Sequence, residues 1–424
     1  MDINELYAYF LECDHISTDS RFVKKNNIFF ALKGDNFDGN DYALKALNEG
    51  AKYAIIDNHN LVNPRFIKVQ NVLRSLQDLS AHHRIQMINT TIIAITGSNG
   101  KTTSKELMNS VFSFQNNTTS TIGNLNNHIG VPLTLLKIKK TTEFAIIEMG
   151  ANHLKEISFL TNLIKPDLGY ITNFGKAHLE GFGDLNGVIK GKTELYDWLG
   201  KNNKLLLINA DDAIQYKFKN KKSITFSNRK KSDYIFNKSI IDSYTSLSYN
   251  NTDIKSQLIG DYNFSNIGAA IALGLYFKIP IQNIKKAIES YIPKNNRSQI
   301  IKKNNQKIIL DAYNANPSSM LAAINSFAKL NGSKAVILGD MFELGIESTN
   351  LHSEIINYSY KNKINKIYLI GNEFHKAQKK ESKSLFFKTK LDFNKYLKSN
   401  NIEENNILIK GSRVMKMEEI VKMI

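Results

Sequence analysis

One strand–turn–helix unit limits the folds open to this chain. Ile92 to Thr96 is a short β-branched apolar run that reads as a buried strand, and Gly97-Ser98-Asn99-Gly100 is a turn bounded by glycines. Lys105 to Phe112 then carries Leu107, Met108, Val111 and Phe112 at helical spacing. Strand, glycine turn and helix is the context a phosphate cradle needs. Gly97 and Gly100 let backbone N–H groups face inward, Lys101 can reach the β and γ oxygens, and the Thr102 hydroxyl, followed by Thr103, is placed to ligate Mg²⁺. The pattern G-x-x-x-x-G-K-[ST] is incomplete, because Ile95 stands where its first glycine belongs. Nucleotide binding on a parallel α/β sheet is the expectation.

At 424 residues the chain is too long for one ordinary core, so two to four domains are expected. The net charge of +17 raises a polyanion partner. The lysines, however, are scattered among asparagines, as at Lys24-Lys25-Asn26-Asn27, and no aromatic-interleaved basic module occurs; they read as solvated surface, not as a nucleic-acid site. Cys13 is the only cysteine, which excludes an intramolecular disulfide and a cysteine-based zinc site. Met1 to Glu5 is acidic with no apolar stretch after it, and no run of membrane-spanning length occurs, so a cytoplasmic protein without membrane insertion is expected.

The first unit, residues 1–86, alternates apolar runs of helical and strand type around two polar clusters, Ser17 to Arg21 and Lys33 to Gly39. Each cluster suits either plain turns or a phosphorylated ligand. In the second unit, residues 87–295, Phe144 to Gly150 is an apolar run that closes on Glu148, at the carboxyl end of a strand, where ligands sit in open parallel sheets and a second Mg²⁺ ligand is needed. His178 lies in a glycine-containing loop after the strand Leu168 to Asn173. Lys190, Lys192 and Glu194 on the helix Val188 to Leu199 read as a solvated face. Residues 220–256 read as a surface hairpin or insertion. Asn263 and Asn266 at a helix start suit either capping or adenine hydrogen bonding. After a linker from Pro293 to Arg297, the third unit, residues 296–424, reads as a doubly wound parallel sheet with polar residues after its strand ends.

Several strings together carry a family resemblance: Thr18 to Arg21, Phe29 to Gly34, Thr96 to Thr103, Gly123 to Pro132, Glu148 to Asn152, Asp311 to Asn316, Leu338 to Gly345 and Lys410 to Arg413. By these the chain resembles the ATP-dependent Mur ligases of peptidoglycan synthesis over nearly its whole length. The resemblance implies three α/β domains: a small N-terminal UDP-sugar-binding domain, a central P-loop ATPase-like parallel-sheet domain, and a C-terminal Rossmann-like ligase domain. It implies ATP and two Mg²⁺ as cofactors, UDP-N-acetylmuramoyl-tripeptide and D-alanyl-D-alanine as substrates, and a monomer. Ser20 and Arg21 would lie near the UDP end, and Asn126 and Asn127 would also bind substrate. Gly97, Ser98, Asn99, Gly100, Lys101, Thr102 and Thr103 would hold the phosphates, with Asn266 on adenine, Arg297 on the γ-phosphate and Asp311 on the ribose. Thr102 and Glu148 would serve the first metal, His178 and a carbamylated Lys192 the second; Lys101, His178, Lys192 and Arg297 would be catalytic. Three residues depart from the family pattern, namely His128, Tyr262 and Asn296.

Rival readings lack their residues. Another ligase of the superfamily, acting on a folate or a different Mur substrate, does not account for the Asn-Asn-x-Ile-Gly-Val-Pro, Asp-Ala-Tyr-Asn-Ala-Asn-Pro and Gly-Asp-Met-x-Glu-Leu-Gly strings. A GTPase needs Asn-Lys-x-Asp, which is absent. A nucleic-acid-dependent ATPase has only the net charge in its favour.

Overall fold

The computed structural model describes residues 1–241, 243–378 and 384–424. Its three main sheets follow one another along the chain. The first is a parallel sheet in chain order, His15–Ser17, Asn27–Phe30, Tyr53–Ile56 and Phe66–Lys68. Asn27–Phe30 is apolar on both faces because both are covered. Ile28 and Phe30 pack with helices Ile3–Leu11 and Val72–Gln86, while Phe29 packs with Ala43, Ala46 and Leu47 on the other side.

The second sheet has seven parallel strands in the order Tyr234–Ile235, Ser223–Ser227, Leu205–Asn209, Leu168–Ile171, Thr91–Thr96, Phe144–Glu148, Thr118–Ser120. Thr91–Thr96 pairs with Phe144–Glu148 on one side and Leu168–Ile171 on the other, so the winding reverses there. Such a reversal opens a crevice at the carboxyl ends of the strands, and the glycine turn leaves from it. Helix Asn263–Tyr276 is apolar nearly all round, and is buried between this layer and a three-stranded antiparallel sheet, Asn237–Ile241, Tyr244–Tyr249 and Thr252–Ile259.

The hairpin expected over 220–256 is therefore only half of what forms there. Ser223–Ser227 joins the main sheet in parallel to Leu205–Asn209, and the antiparallel ribbon follows it. Lysines and asparagines at the turns hide the short apolar core of that strand, where Ile224 and Phe226 are buried.

The third sheet runs Gln299–Lys303, Gln306–Asp311, Asn406–Lys410, Lys334–Gly339, Lys366–Ile370, Leu385–Phe387. All pairings are parallel except the opening hairpin. Four of these strands match the sequence reading, while the two outer ones, too polar or too short to register, were not anticipated. One apolar cluster runs without a break from Ile92, Ala94 and Ile171 of the second unit to Met320, Ile324 and Leu338 of the third.

Helix Val72–Gln86 binds the first unit to the second. The His83 ring contacts the Tyr7 hydroxyl (3.1 Å) and the Ile138 carbonyl (2.8 Å). The Arg84 guanidinium donates to the carbonyls of Ile164 (2.9 Å) and Lys165 (3.1 Å) and to Asp167 (3.1 Å). No helix among the described residues is long and apolar enough to cross a membrane.

Candidate active site

The glycine turn has the backbone its composition calls for. Gly97 has φ +141° and Gly100 φ +81°, and a Cβ on either would stand 2.0 Å from Thr172 Oγ1 or 2.5 Å from Asn266 Oδ1. Only glycine fits both positions. Gly100 begins helix Lys101–Phe112, whose first turn no side chain caps, so its N–H groups are open to an anion. Lys101 Nζ folds back on the Gly97 carbonyl at 2.6 Å. Burial pulls its pKa down, Glu148 opposes that shift and Arg297 adds to it.

Glu148 ends its strand almost fully buried. One carboxylate oxygen accepts from Thr102 Oγ1 and the other from Asn126 Nδ2, both at 2.8 Å. A buried carboxylate beside a hydroxyl is a hard oxygen donor pair, which suits Mg²⁺. Asn127 turns its Oδ1 onto the N–H groups of Ile129 (3.1 Å) and Gly130 (2.9 Å) instead.

Lys192 is not on a solvated face. It is buried, with Nζ donating to the Ala151 carbonyl at 3.0 Å and lying 5.1 Å from the Phe182 ring centroid. Burial first, and then the Lys101 charge, push its pKa well below that of a free lysine. Lys190 is exposed, and Glu194 accepts the N–H groups of Lys155 (2.7 Å) and Ser158 (2.8 Å) at the start of helix Glu156–Ile164. Spacing along helix Leu185–Lys201 could not reveal which side faces the neighbouring helix.

His178 sits in the left-handed region, at φ +54°. Its Nδ1 meets the Glu343 carboxylate of the third unit, and that hydrogen bond holds the Glu343 carboxyl below its usual range. The Glu343 loop is fixed from beneath by His352, whose Nδ1 donates to the Ser348 carbonyl (2.7 Å) and whose Nε2 accepts the Met341 N–H (3.0 Å). Buried Asp340 takes the N–H groups of Glu373 (3.0 Å) and Phe374 (2.9 Å), and burial raises its pKa.

Asn263 and Asn266 do not cap their helix. Asn266 lies behind the glycine turn, its Oδ1 accepting from Ser104 Oγ (3.0 Å) and its Nδ2 donating to Asn263 Oδ1 (2.8 Å). In the third unit, Arg297 stacks on the Tyr313 ring at 3.5 Å, with Arg413 5.9 Å from the same centroid. Asp311 accepts Lys410 Nζ at 2.6 Å and the Ser298 N–H at 3.0 Å.

These elements enclose a cavity of about 1250 Å³ between the second and third units. Ser98 to Thr103, Asn126, Asn127, Glu148, His178, Asn266, Arg297 and Asp311 all line it, as does His128. Lys192 lies behind the wall at Ala151, while Ser20 and Arg21 do not line it at all. Arg21 is paired with Asp19 at 2.6 Å on the open surface of the first unit. Sequence reasoning missed the role of Glu343 and the pairing of Asp311 with Lys410. Their positions after strand ends were the available signal.

Three family profiles match the chain: "Mur ligase family, catalytic domain" over residues 12–90, "Mur ligase middle domain" over 95–274, and "Mur ligase, glutamate ligase domain" over 296–413. The chain is 36% identical to the UDP-N-acetylmuramoyl-tripeptide--D-alanyl-D-alanine ligase of Buchnera aphidicola subsp. Baizongia pistaciae, over 96% of this chain and 91% of that one. It is 32% identical to the ligase of the same name from Escherichia coli, over 99% and 95%. Among solved structures it is similar to MurF from Acinetobacter baumannii, with a TM-score of 0.88 and 27% identity, covering 99% of this chain and 97% of that one.

Proposed function

The chain belongs to the Mur ligase family, and on that premise we propose that it joins D-alanyl-D-alanine to UDP-N-acetylmuramoyl-tripeptide with ATP, giving the pentapeptide, ADP and phosphate in peptidoglycan synthesis. The observation that carries the reading is convergence. Phosphate loop, buried carboxylate–hydroxyl pair and the third unit's Arg297 and Asp311 all face one cavity.

A carboxylate is a poor acyl donor because oxide would have to leave. The tripeptide carboxylate oxygen therefore bonds to the γ-phosphorus, ADP leaves, and an acyl phosphate results. Two anions meet in that step, and Lys101 and Arg297 are the cations poised to screen them. The amine of the dipeptide then adds to the acyl carbon, the tetrahedral intermediate expels phosphate, and the amine loses its proton. Tyr313 keeps Arg297 planar against its ring before the nucleotide arrives. The third unit, lying over the loop, excludes water that would hydrolyse the acyl phosphate.

Mg²⁺, when bound, supplies further charge neutralisation at the phosphates. Thr102 and Glu148 would hold one ion. His178, oriented by Glu343, and a carbamylated Lys192 would serve the second. Carbamylation joins an uncharged amine to CO₂ with loss of a proton, and burial together with the nearby Lys101 charge favours the uncharged amine at Lys192. ¹³C-bicarbonate NMR tests it: a carbamate resonance is expected in the wild type and not in Lys192→Ala. Asp311 and Asn266 would serve the nucleoside end, Ser20, Arg21, Asn126 and Asn127 the sugar nucleotide. A monomeric, cytoplasmic enzyme completes the reading.

The deciding experiment is phosphate release from ATP and Mg²⁺ with and without each substrate, beside Lys101→Ala. Release that needs both substrates and vanishes in the variant supports the reading. Equal release without either one, or release only with a folate and glutamate, overturns it.

A further inference from the structure

The backbone of Asn99, inside the phosphate loop, is pinned on both sides. Its N–H donates to Asn173 Oδ1 at 3.0 Å, and its carbonyl accepts from Thr172 Oγ1 at 2.5 Å and Asn173 Nδ2 at 2.8 Å. Its side chain is left to cross the domain boundary. There it pairs amide to amide with Asn316: Asn316 Nδ2 donates to Asn99 Oδ1 at 2.8 Å, and Asn99 Nδ2 approaches Asn316 Oδ1 at 3.4 Å. Asn316 is itself immobile, since it caps helix Pro317–Ala328 in a reciprocal box with Ser319.

A second contact closes the same corner. Ser98 Oγ donates to the Gly175 carbonyl at 3.0 Å, and the Lys176 N–H donates to Ser318 Oγ at 2.9 Å. A Cβ on Gly175 would stand 3.0 Å from Ser318 Cβ and Oγ and 3.2 Å from Asn99 Nδ2. The glycine permits this approach, and φ is not its reason for being there. Phosphate loop, the loop after strand Leu168–Ile171 and the first turn of a third-unit helix thus interlock where the nucleotide phosphates would lie.

Resting on the ligase reading above, we propose that Asn99 and Asn316 are positioning residues whose amide pair seats the third unit on the phosphate loop. Bound phosphates add to the bonds that already hold the loop, and so to the register in which the Asn99 amide meets Asn316. Seating then carries Arg297 and Asp311 to the nucleotide. Nucleotide binding and seating strengthen one another through this contact, beside that of Lys176 with Ser318, as linkage requires.

Asn99→Ala removes the pair but keeps every backbone bond. Asn316→Ser retains a capping hydroxyl yet is too short to reach Asn99. Each is expected to lower kcat more than tenfold and raise the KM for ATP, while the KM for the sugar-nucleotide tripeptide stays within twofold. The double variant should be no worse than either single one. Small-angle scattering with a non-hydrolysable ATP analogue should show the wild type compact and both variants extended. The proposal is overturned by a kcat within twofold of wild type, by single effects that multiply in the double variant, or by identical scattering from all three proteins. If the wild type releases no phosphate with its two substrates, the ligase reading fails, and the scattering comparison still decides the seating contact.

Discussion

Removing the Asp311 carboxylate should cost the third unit far more than a surface ion pair would. Asp311 and Lys410 end neighbouring parallel strands in register, and Lys410 is only 2% exposed. In Asp311→Ala the ammonium keeps two carbonyls, Asn314 at 3.1 Å and residue 311 at 3.4 Å, and the Ser298 N–H loses its acceptor. Breaking a buried pair from one side costs about 3–5 kcal/mol, because an uncompensated charge is left behind. Two remaining carbonyls, and the 18% exposure of the Asp311 side chain, put the expectation at the lower end. A loss of about 3 kcal/mol corresponds to a roughly 150-fold rise in the opening equilibrium. Amide hydrogen exchange in strands Gln306–Asp311 and Asn406–Lys410 reads that equilibrium directly. Adding Lys410→Met removes the stranded charge and should restore most of the protection. A rise below about tenfold, or a further loss on adding Lys410→Met, would refute the reasoning.

Three other outcomes are expected. Gly100→Ala forces a side chain to φ +81° and against Asn266 Oδ1, which Ser104 and Asn263 hold still; nucleotide affinity by calorimetry should fall more than about tenfold. Glu148→Gln can keep both hydrogen bonds, to Thr102 and Asn126, but loses the charge. Its melting temperature should therefore hardly move, while the Mg²⁺ titration of phosphate release shifts by at least about 10- to 100-fold. Burial lowers the pKa values of His83 and His352 below 6.5 in the folded protein, so the unfolded chain takes up protons first as pH falls. Stability is then full above about pH 6.5 and declines below it, by up to about 1.4 kcal/mol per pH unit for each ring; urea unfolding at about pH 7.5 and 5.5 should show this, with a smaller drop in His83→Gln.

The second unit's site was legible where chemistry demands a local pattern. Gly97, Gly100, Lys101 and Thr102 fall within one six-residue stretch, and Glu148 marks the end of an apolar run, so both could be read without a fold. Lys192 and Asn316 could not. Whether a helical lysine is solvated depends on what packs over it, and here that is Phe182 from the short helix before it and Ala151, 41 residues away. Asn316 before Pro317 announces a helix cap, but its partner Asn99 is 217 residues away. Likewise Glu343 is an unremarkable acid in a polar loop until the fold brings it to His178. Strand Ser223–Ser227 was lost for a different reason. Only five residues long and set among lysines, it offers too few periods to separate a buried strand from a surface ribbon.

The helix Val72–Gln86 belongs to the first unit by its apolar stripe and to the second by His83 and Arg84. Those two units are thus bonded to each other through one helix, by His83 on the Ile138 carbonyl and by Arg84 on Ile164, Lys165 and Asp167. On the proposed reading, the span from the sugar-nucleotide site of the first unit to the phosphate loop is then a fixed ruler. A peptide shorter by one residue would leave its carboxylate about 3.5 Å short of the γ-phosphate, and no closure of the third unit could make up the difference. On that reading the length of the peptide is measured between the first two units, whatever the position of the third.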